Sequence, residues 1–295
     1  MTTRREFVYA ALLVSGSAVF DSARGWAGAA PLGHDRFHAR IHQLEKASGG
    51  RLGVYCLDTE TGSTGGWRAF ERFPMCSTYK LLAVGAVLAK ADRGKEWLDR
   101  LVKFGRGQVV AYSPITSQHV ASGMTVEALC AAAITVSDNT AANLLLAGLG
   151  GPQGVTEFAR RLGDKWTRLD RNEPDVNECL PGDVRDTTTP VGMVQDLRAL
   201  ALGDALSGSS RALLTKWLVE DRTGEKRIRA GLPKTWREGD KTGSGERGTA
   251  NDVAILWPPT GKPVLVAAYL TGATVSREQR DATLAAVGRA VAEAV

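Results

Sequence analysis

Ser77 and Lys80 stand three apart in Ser77-Thr78-Tyr79-Lys80, at the head of an apolar run that follows Phe73-Pro74-Met75-Cys76. In a helix, residues three apart share a face, so the lysine amine reaches the serine hydroxyl, and the helix N-terminus favours negative charge developing there. That pair is a minimal apparatus for nucleophilic acyl transfer. The spacing recurs by chance, and its weight comes from its company. Ser137-Asp138-Asn139 lies between two helical segments, Glu173-Pro174-Asp175-Val176-Asn177 in a long irregular stretch, and Lys241-Thr242-Gly243 on a C-terminal strand. Acyl transfer with turnover needs an activated hydroxyl, donors for an oxyanion, a proton donor for the leaving group and a base that activates water.

In this order and at these separations the segments resemble the class A serine β-lactamases, whose motif set is Ser-x-x-Lys, Ser-Asp-Asn and Lys-Thr-Gly. The likeness continues through Tyr112-Ser113-Pro114, Thr167-Arg168-Leu169-Asp170-Arg171, Arg185-Asp186-Thr187-Thr188 and Arg227-Ile228-Arg229-Ala230-Gly231-Leu232-Pro233. It implies hydrolysis of the β-lactam ring of penicillins and cephalosporins, and hence antibiotic resistance, without cofactor or metal. Ser77 is then the nucleophile, and the backbone N–H groups of Ser77 and Ser244 form the oxyanion hole. Ser137 is the proton donor to the ring nitrogen, relayed through Lys80 or Lys241, and Asn139 bonds the acylamino side chain of the substrate.

Further roles follow from the same resemblance. Lys241, Thr242 and Ser244 face the substrate carboxylate, Gly243 belongs to the same substrate-facing strand, and Tyr112 walls the cleft opposite. Glu173 and Asn177 hold the hydrolytic water, with Glu173 as general base for deacylation. Whether Glu173 or Lys80 first deprotonates Ser77 stays open. Arg171 and Asp186 pair across the neck of the loop, and a cis bond before Pro174 aims Glu173 into the cleft. Some members carry an arginine on the strand after Lys-Thr-Gly where this chain has Ala250, and Arg227 stands where others supply a substitute. Two rivals share the nucleophile. A penicillin-binding D,D-peptidase would lack the Glu-x-x-x-Asn water site, and a β-lactam sensor domain would acylate and stay acylated.

The elements that must position these residues can be read from periodicity. Asp35 to Ala47 is a helix by the spacing of Phe37, Ile41 and Leu44, and Leu52 to Asp58 with Gly66 to Phe70 reads as a hairpin. Helical patterns follow, clearest in Leu81 to Lys90, Val126 to Thr135, Thr140 to Leu149 and Pro152 to Leu162. Residues 163–190 lose all period, and a long irregular loop inside a compact domain is usually functional. Strand signals return in Trp236 to Lys241, Ala250 to Trp257 and Val264 to Thr271, before a closing helix from Ser276 to Ala294. The expected fold is α/β (α+β): an antiparallel sheet built from both termini and flanked by helices, with an inserted all-α subdomain and the active site at their interface. Residues 30–72 and 214–295 would form the α/β part, and 73–213 the helical part, including the irregular loop 168–186.

The chain has 295 residues, is 43% hydrophobic and has a formal net charge of +5, with charges of both signs interspersed. That excludes a disordered chain and gives no basic run for nucleic acid. Thr3-Arg4-Arg5-Glu6-Phe7, the apolar run Val8 to Phe20 and the small residues Ala27-Gly28-Ala29 read as a twin-arginine-type signal peptide over residues 1–29. The expected product is a periplasmic monomer whose partner is a small β-lactam, with no membrane attachment after cleavage. The three histidines His34, His38 and His42 lack any ligand pattern and read as a solvated helix flank. Gly243-Ser244-Gly245-Glu246-Arg247-Gly248 matches a dinucleotide fingerprint but leads into a strand, which makes it a turn.

The four cysteines, Cys56, Cys76, Cys130 and Cys179, lie far apart. In a carbapenem-hydrolysing subgroup of the family the cysteine equivalent to Cys76 is bridged to one just after Lys-Thr-Gly, where this chain has Gly245. The other familiar bridge would join Cys130 to the position of Val84. Neither can form, so free thiols are expected throughout.

Overall fold

Val264–Thr271 is apolar at successive positions, the pattern of a strand covered on both faces, and the structure buries both. The computed structural model describes residues 34–295; the signal segment expected over residues 1–29 lies outside them. In chain order the sheet strands are β1 (Arg51–Asp58), β2 (Thr64–Trp67), β3 (Arg237–Gly245), β4 (Thr249–Trp257) and β5 (Val264–Thr271). They form one antiparallel sheet in the order β2-β1-β5-β4-β3. Sequence-distant β1 and β5 are neighbours, so both ends of the chain meet in this sheet.

The helices are α1 (His34–Ser48), α2 (Tyr79–Ala91), α3 (Val126–Thr135), α4 (Asn139–Gly148), α5 (Pro152–Leu162), α6 (Pro190–Ala201), α7 (Gly208–Val219), α8 (Ile228–Gly231) and α9 (Arg277–Ala292). Alternation along the strands sorts the core into two clusters. Val54, Ala254, Val266 and Leu270 meet Ile41 of α1 and Leu284, Val287 and Val291 of α9. Tyr55, Val253, Leu265 and Tyr269 face the other way, into the cluster built around α2. From Tyr79 to Ala89 every residue of α2 is buried, so this helix is wrapped by the others and brings Lys80 in with it.

Several boundaries differ from the sequence expectation, among them the strand read over Trp236 to Lys241, which runs on to Gly245. The division at 213/214 falls inside α7, whose Leu214, Trp217 and Leu218 join the helical core, so the helical part extends to Val219. The helix opens on Gly208-Ser209-Ser210, which carries no apolar period to announce it. The second strand ends at Trp67 rather than Phe70, because Arg68 turns out of the sheet at φ +48°.

The irregular stretch packs as a loop closed at its neck. Arg171 Nε donates to Asp186 Oδ2 at 2.6 Å, while Asp186 Oδ1 accepts the backbone N–H groups of Asp170 and Arg171 at 2.7 and 3.0 Å. Asp186 also accepts Met75 N–H through its carbonyl at 2.9 Å, and Thr187–Thr188 pairs with Phe73–Pro74. The loop neck is thereby tied to the segment leading into Ser77. Asp186 is 1% exposed, so truncating it leaves two N–H groups and a guanidinium short of an acceptor. Asp186→Ala is expected to lower unfolding free energy by about 3 kcal/mol, measured by urea denaturation; a loss under about 1 kcal/mol would reduce the pair to a surface bridge.

Candidate active site

Ser77 sits in the 3-10 turn Cys76–Thr78 that leads into α2. Cys76 holds φ +46°, and the turn is fixed from outside by Asn251 Nδ2, which donates to the carbonyls of Pro74 and Met75 at 2.8 and 3.0 Å. Strand β3 passes so close that a Cβ on Gly243 would lie 2.7 Å from the Met75 carbonyl oxygen. Only glycine permits that approach, which sets Lys-Thr-Gly against the nucleophile's turn. The same run closes the nucleotide question: Gly243 to Gly248 is the end of β3 and a turn into β4.

Lys80 is fully buried and ringed by acceptors. Its Nζ lies 3.0 Å from Glu173 Oε1 and donates to Ser137 O at 2.8 Å, Asn139 Oδ1 at 2.7 Å and Ser137 Oγ at 3.4 Å. Burial draws its pKa down to about 8, an effect only partly offset by the Glu173 carboxylate and reinforced by Lys241. Lys241, also lowered by burial, reaches Ser137 Oγ at 3.2 Å. The Ser137 hydroxyl is therefore shared by two lysines. Ser137 holds φ +57°, and the next residue, Asp138, caps α4 by accepting Ala141 N–H at 2.9 Å. Asp138 also accepts the N–H groups of Ile115 and Thr116, each at 3.0 Å, fixing the segment that carries Tyr112.

Glu173 Oε1 lies 3.3 Å from Ser77 Oγ, and Oε2 accepts Asn177 Nδ2 at 2.5 Å. The Glu173-Pro174 bond is cis, as the sequence predicts. Asn143, four residues beyond Asn139 and so one turn along the same face of α4, clamps the Glu173 backbone. It accepts Glu173 N–H and donates to Glu173 O, both at 2.9 Å. The sequence reading missed Asn143 and Asn251; the i, i+4 spacing on α4 was the available signal for the first. Asn177 Oδ1 is buried without a protein hydrogen-bond partner.

A cleft of about 480 Å³ opens in front of Ser77, lined by Tyr112, Asn139, Asn177, Thr242 and Ser244. Tyr112 is 62% exposed on its wall, which settles it as a rim residue rather than a core aromatic. Asn139 donates to Ala111 O at 2.9 Å besides holding Lys80. Arg227 lines the same cleft, and its guanidinium is also held by the protein. It donates to Asp281 at 2.8 Å, to the carbonyls of Gly243 and Asn251 at 2.8 and 2.7 Å, and to Ser244 Oγ at 2.6 Å. Its main work is to hold β3 to β4 and to orient the Ser244 hydroxyl, across the ladder from Ala250. Arg277 and Arg280 of α9 line the same cleft and went unread, since a terminal helix far along the chain gave no motif. Among the described residues no group of three or more His, Cys, Asp or Glu side chains is placed to hold a metal ion. His38 and His42 pack on Trp67, with ring centroids 5.1 and 5.2 Å apart.

The model of the β-lactamase enzyme family matches residues 36–295. The chain is 46% identical to β-lactamase OXY-2 of Klebsiella oxytoca, covering 88% of this chain and 89% of that one. It is 49% identical to β-lactamase Toho-1 of Escherichia coli, covering 85% and 87%. Among solved structures, a putative class A β-lactamase from Rhodopseudomonas palustris is 58% identical and superposes with a TM-score of 0.87, over 88% of this chain and all of that one. An ancestral (GNCA) class A β-lactamase gives 57% identity and the same TM-score over the same shares. With family, fold and motif geometry in agreement, the chain belongs to the β-lactamase enzyme family and is a class A β-lactamase, an enzyme that hydrolyses β-lactams.

Proposed function

We propose that the enzyme opens the ring of penicillins and cephalosporins with Ser77 and releases the product by a water that Glu173 activates. The observation that carries this is the position of Glu173 Oε1, 3.3 Å from Ser77 Oγ and 3.0 Å from Lys80 Nζ. One carboxylate oxygen faces the hydroxyl that must lose a proton, and the same oxygen faces the ester once that proton is gone. The geometry favours Glu173 as the group that takes the Ser77 proton, because the Lys80 amine is already engaged by Glu173, Ser137 and Asn139. Lys80 instead sits as the ion-pair partner of the carboxylate in a site with little solvent. The Ser137 hydroxyl, between the two lysines, passes a proton to the departing ring nitrogen.

The substrate carboxylate is met by Lys241, Thr242 and Ser244, with Arg227 behind Ser244 and Arg277 and Arg280 supplying further positive charge. A charge-assisted hydrogen bond of this kind contributes about 1.5–3 kcal/mol. Asn177, with an acceptor oxygen free beside Glu173, supports the reading of the pair as a holder of the hydrolytic water. That pair speaks against a peptidase or a sensor. Arg4-Arg5 and the apolar run behind them support export to the periplasm.

Two measurements test this reading. Glu173→Ala should acylate with a penicillin but deacylate about 10²–10⁴-fold more slowly, the usual range for losing a general base, and intact-protein mass spectrometry should show the adduct on Ser77 persisting. A variant that turns over normally with no adduct removes Glu173 from the mechanism. Lys80 should titrate with a midpoint near its lowered value of about 8 in an NMR experiment on labelled lysines. Below that pH it is the ammonium partner of Glu173, and above it the pair loses its positive member. A midpoint in the ordinary lysine range, above about 10, would contradict the buried-cation account.

A further inference from the structure

The sequence offers no bridge partner for Cys76 at either family position, yet the structure brings a different cysteine to it. Cys76 Sγ and Cys179 Sγ lie 3.4 Å apart, although both are free thiols and 103 residues separate them in the chain. The other two, Cys56 and Cys130, are fully buried in apolar core. Each member of the close pair sits on a piece of the catalytic apparatus. Cys76 opens the turn that carries Ser77, and Cys179 follows two residues after Asn177, in the loop that presents Glu173. Both hold left-handed backbone, at φ +46° and +54°, which aims them at each other across the junction.

Room for the pair is made on β3. A Cβ on Gly245 would lie 2.6 Å from Cys179 Sγ and 2.7 Å from Cys76 Sγ, so the missing side chain is the space the two sulfurs occupy. Access is one-sided. Cys179 lines a cavity of about 620 Å³ behind the loop, together with Arg72, Pro181 and Arg247, whereas Cys76 is fully buried. The hydrogen bond shared by the two sulfurs, with burial added, pushes the Cys76 thiol well up, and the same bond holds the Cys179 thiol below its ordinary range. The accessible sulfur is therefore also the one that ionises more readily.

We propose that Cys76 and Cys179 form a disulfide that staples the Glu173 loop to the nucleophile's turn. The oxidant is a disulfide donor, either an exchange protein of the exported compartment or a small-molecule disulfide. The Cys179 thiolate attacks one donor sulfur, forming a mixed disulfide and expelling one donor thiolate. Cys76 then gives up its proton and attacks Cys179 Sγ, expelling the second. Two protein thiols lose two electrons and two protons, and the donor leaves as two thiols. Closing the bond needs the sulfurs to approach by roughly 1.4 Å, to the disulfide length of about 2.05 Å. The staple acts on the persistence of the site rather than on its chemistry, since neither sulfur touches the reacting groups.

The test uses the purified enzyme, so its result does not depend on the export reading. The protein is equilibrated with oxidised glutathione, alkylated under denaturing conditions without reductant, and mapped by peptide mass spectrometry. We expect the Cys76 and Cys179 peptides to be joined, with Cys56 and Cys130 alkylated, and steady-state penicillin hydrolysis to stay within about twofold of the reduced enzyme. Thermal unfolding should fall by about 5 °C or more on reduction of the wild type and stay unchanged on reduction of Cys179→Ser, given that a bridge closing a loop this long constrains the unfolded chain strongly. Four alkylated thiols after oxidation, or Cys179 arrested as a stable glutathione adduct, would overturn the proposal. The peptide map of the wild type decides it even if the variant folds poorly.

Discussion

Lys80 carries its amine to a place with no measurable exposure, and the charge survives there because acceptors from separate parts of the chain close around it: Glu173 from the irregular loop, and Ser137 and Asn139 from the start of α4. A buried cation with its partners in place is tolerable; with one removed, the uncompensated charge costs several kcal/mol. The lysine is thus both a chemical group and a constraint on assembly, since α2, α4 and the loop must arrive together for any of them to be satisfied. What keeps each in place lies one contact outward. Asn143 fixes the Glu173 backbone, Asp138 fixes the head of α4, and Asp186 ties the loop neck to the strand before Ser77.

The sheet contributes the opposite wall. Its register sets Lys241 beside Val253 and Gly243 beside Asn251, and Asn251 reaches across to the turn holding Ser77. A glycine at 243 is what allows the strand to lie against that turn. Arg227 then fastens β3 and β4 to Asp281 of α9, so the hydroxyl of Ser244 is oriented by a guanidinium that is itself held by three further acceptors. Arginines reach the cleft from the residue before α8 and from α9, elements that share no sequence neighbourhood.

Much of this was legible in the chain. The apolar run Val264–Thr271, the helical pattern from Leu81 to Lys90 and the loss of period after Leu162 gave the strand, a core helix and the irregular loop, and the motif residues Ser77, Lys80, Ser137, Glu173 and Lys241 meet within one site. What was not legible depends on tertiary approach. Asn251 and Asn143 act through a side chain that meets backbone far away in sequence; the spacing from Asn139 on α4 hints at Asn143, and nothing in its own neighbourhood marks Asn251. Cys179 was read only as a cysteine without a family partner, since no period or motif says which sulfur the loop will bring to Cys76. The protein acceptors that share the Arg227 guanidinium were not legible either, because they come from β3, β4 and α9.

The central claim is that one buried lysine serves both halves of the reaction by pairing with Glu173 and holding Ser137 in line. Stopped-flow measurement of acylation and deacylation in Lys80→Met, which keeps the length of the side chain without its charge, tests it most directly. The account predicts that both steps slow by about 10²-fold or more, as losing a preorganised charge at the reacting centre does. Acylation and deacylation that both stay near wild-type rates, or a loss confined to one step, would contradict it.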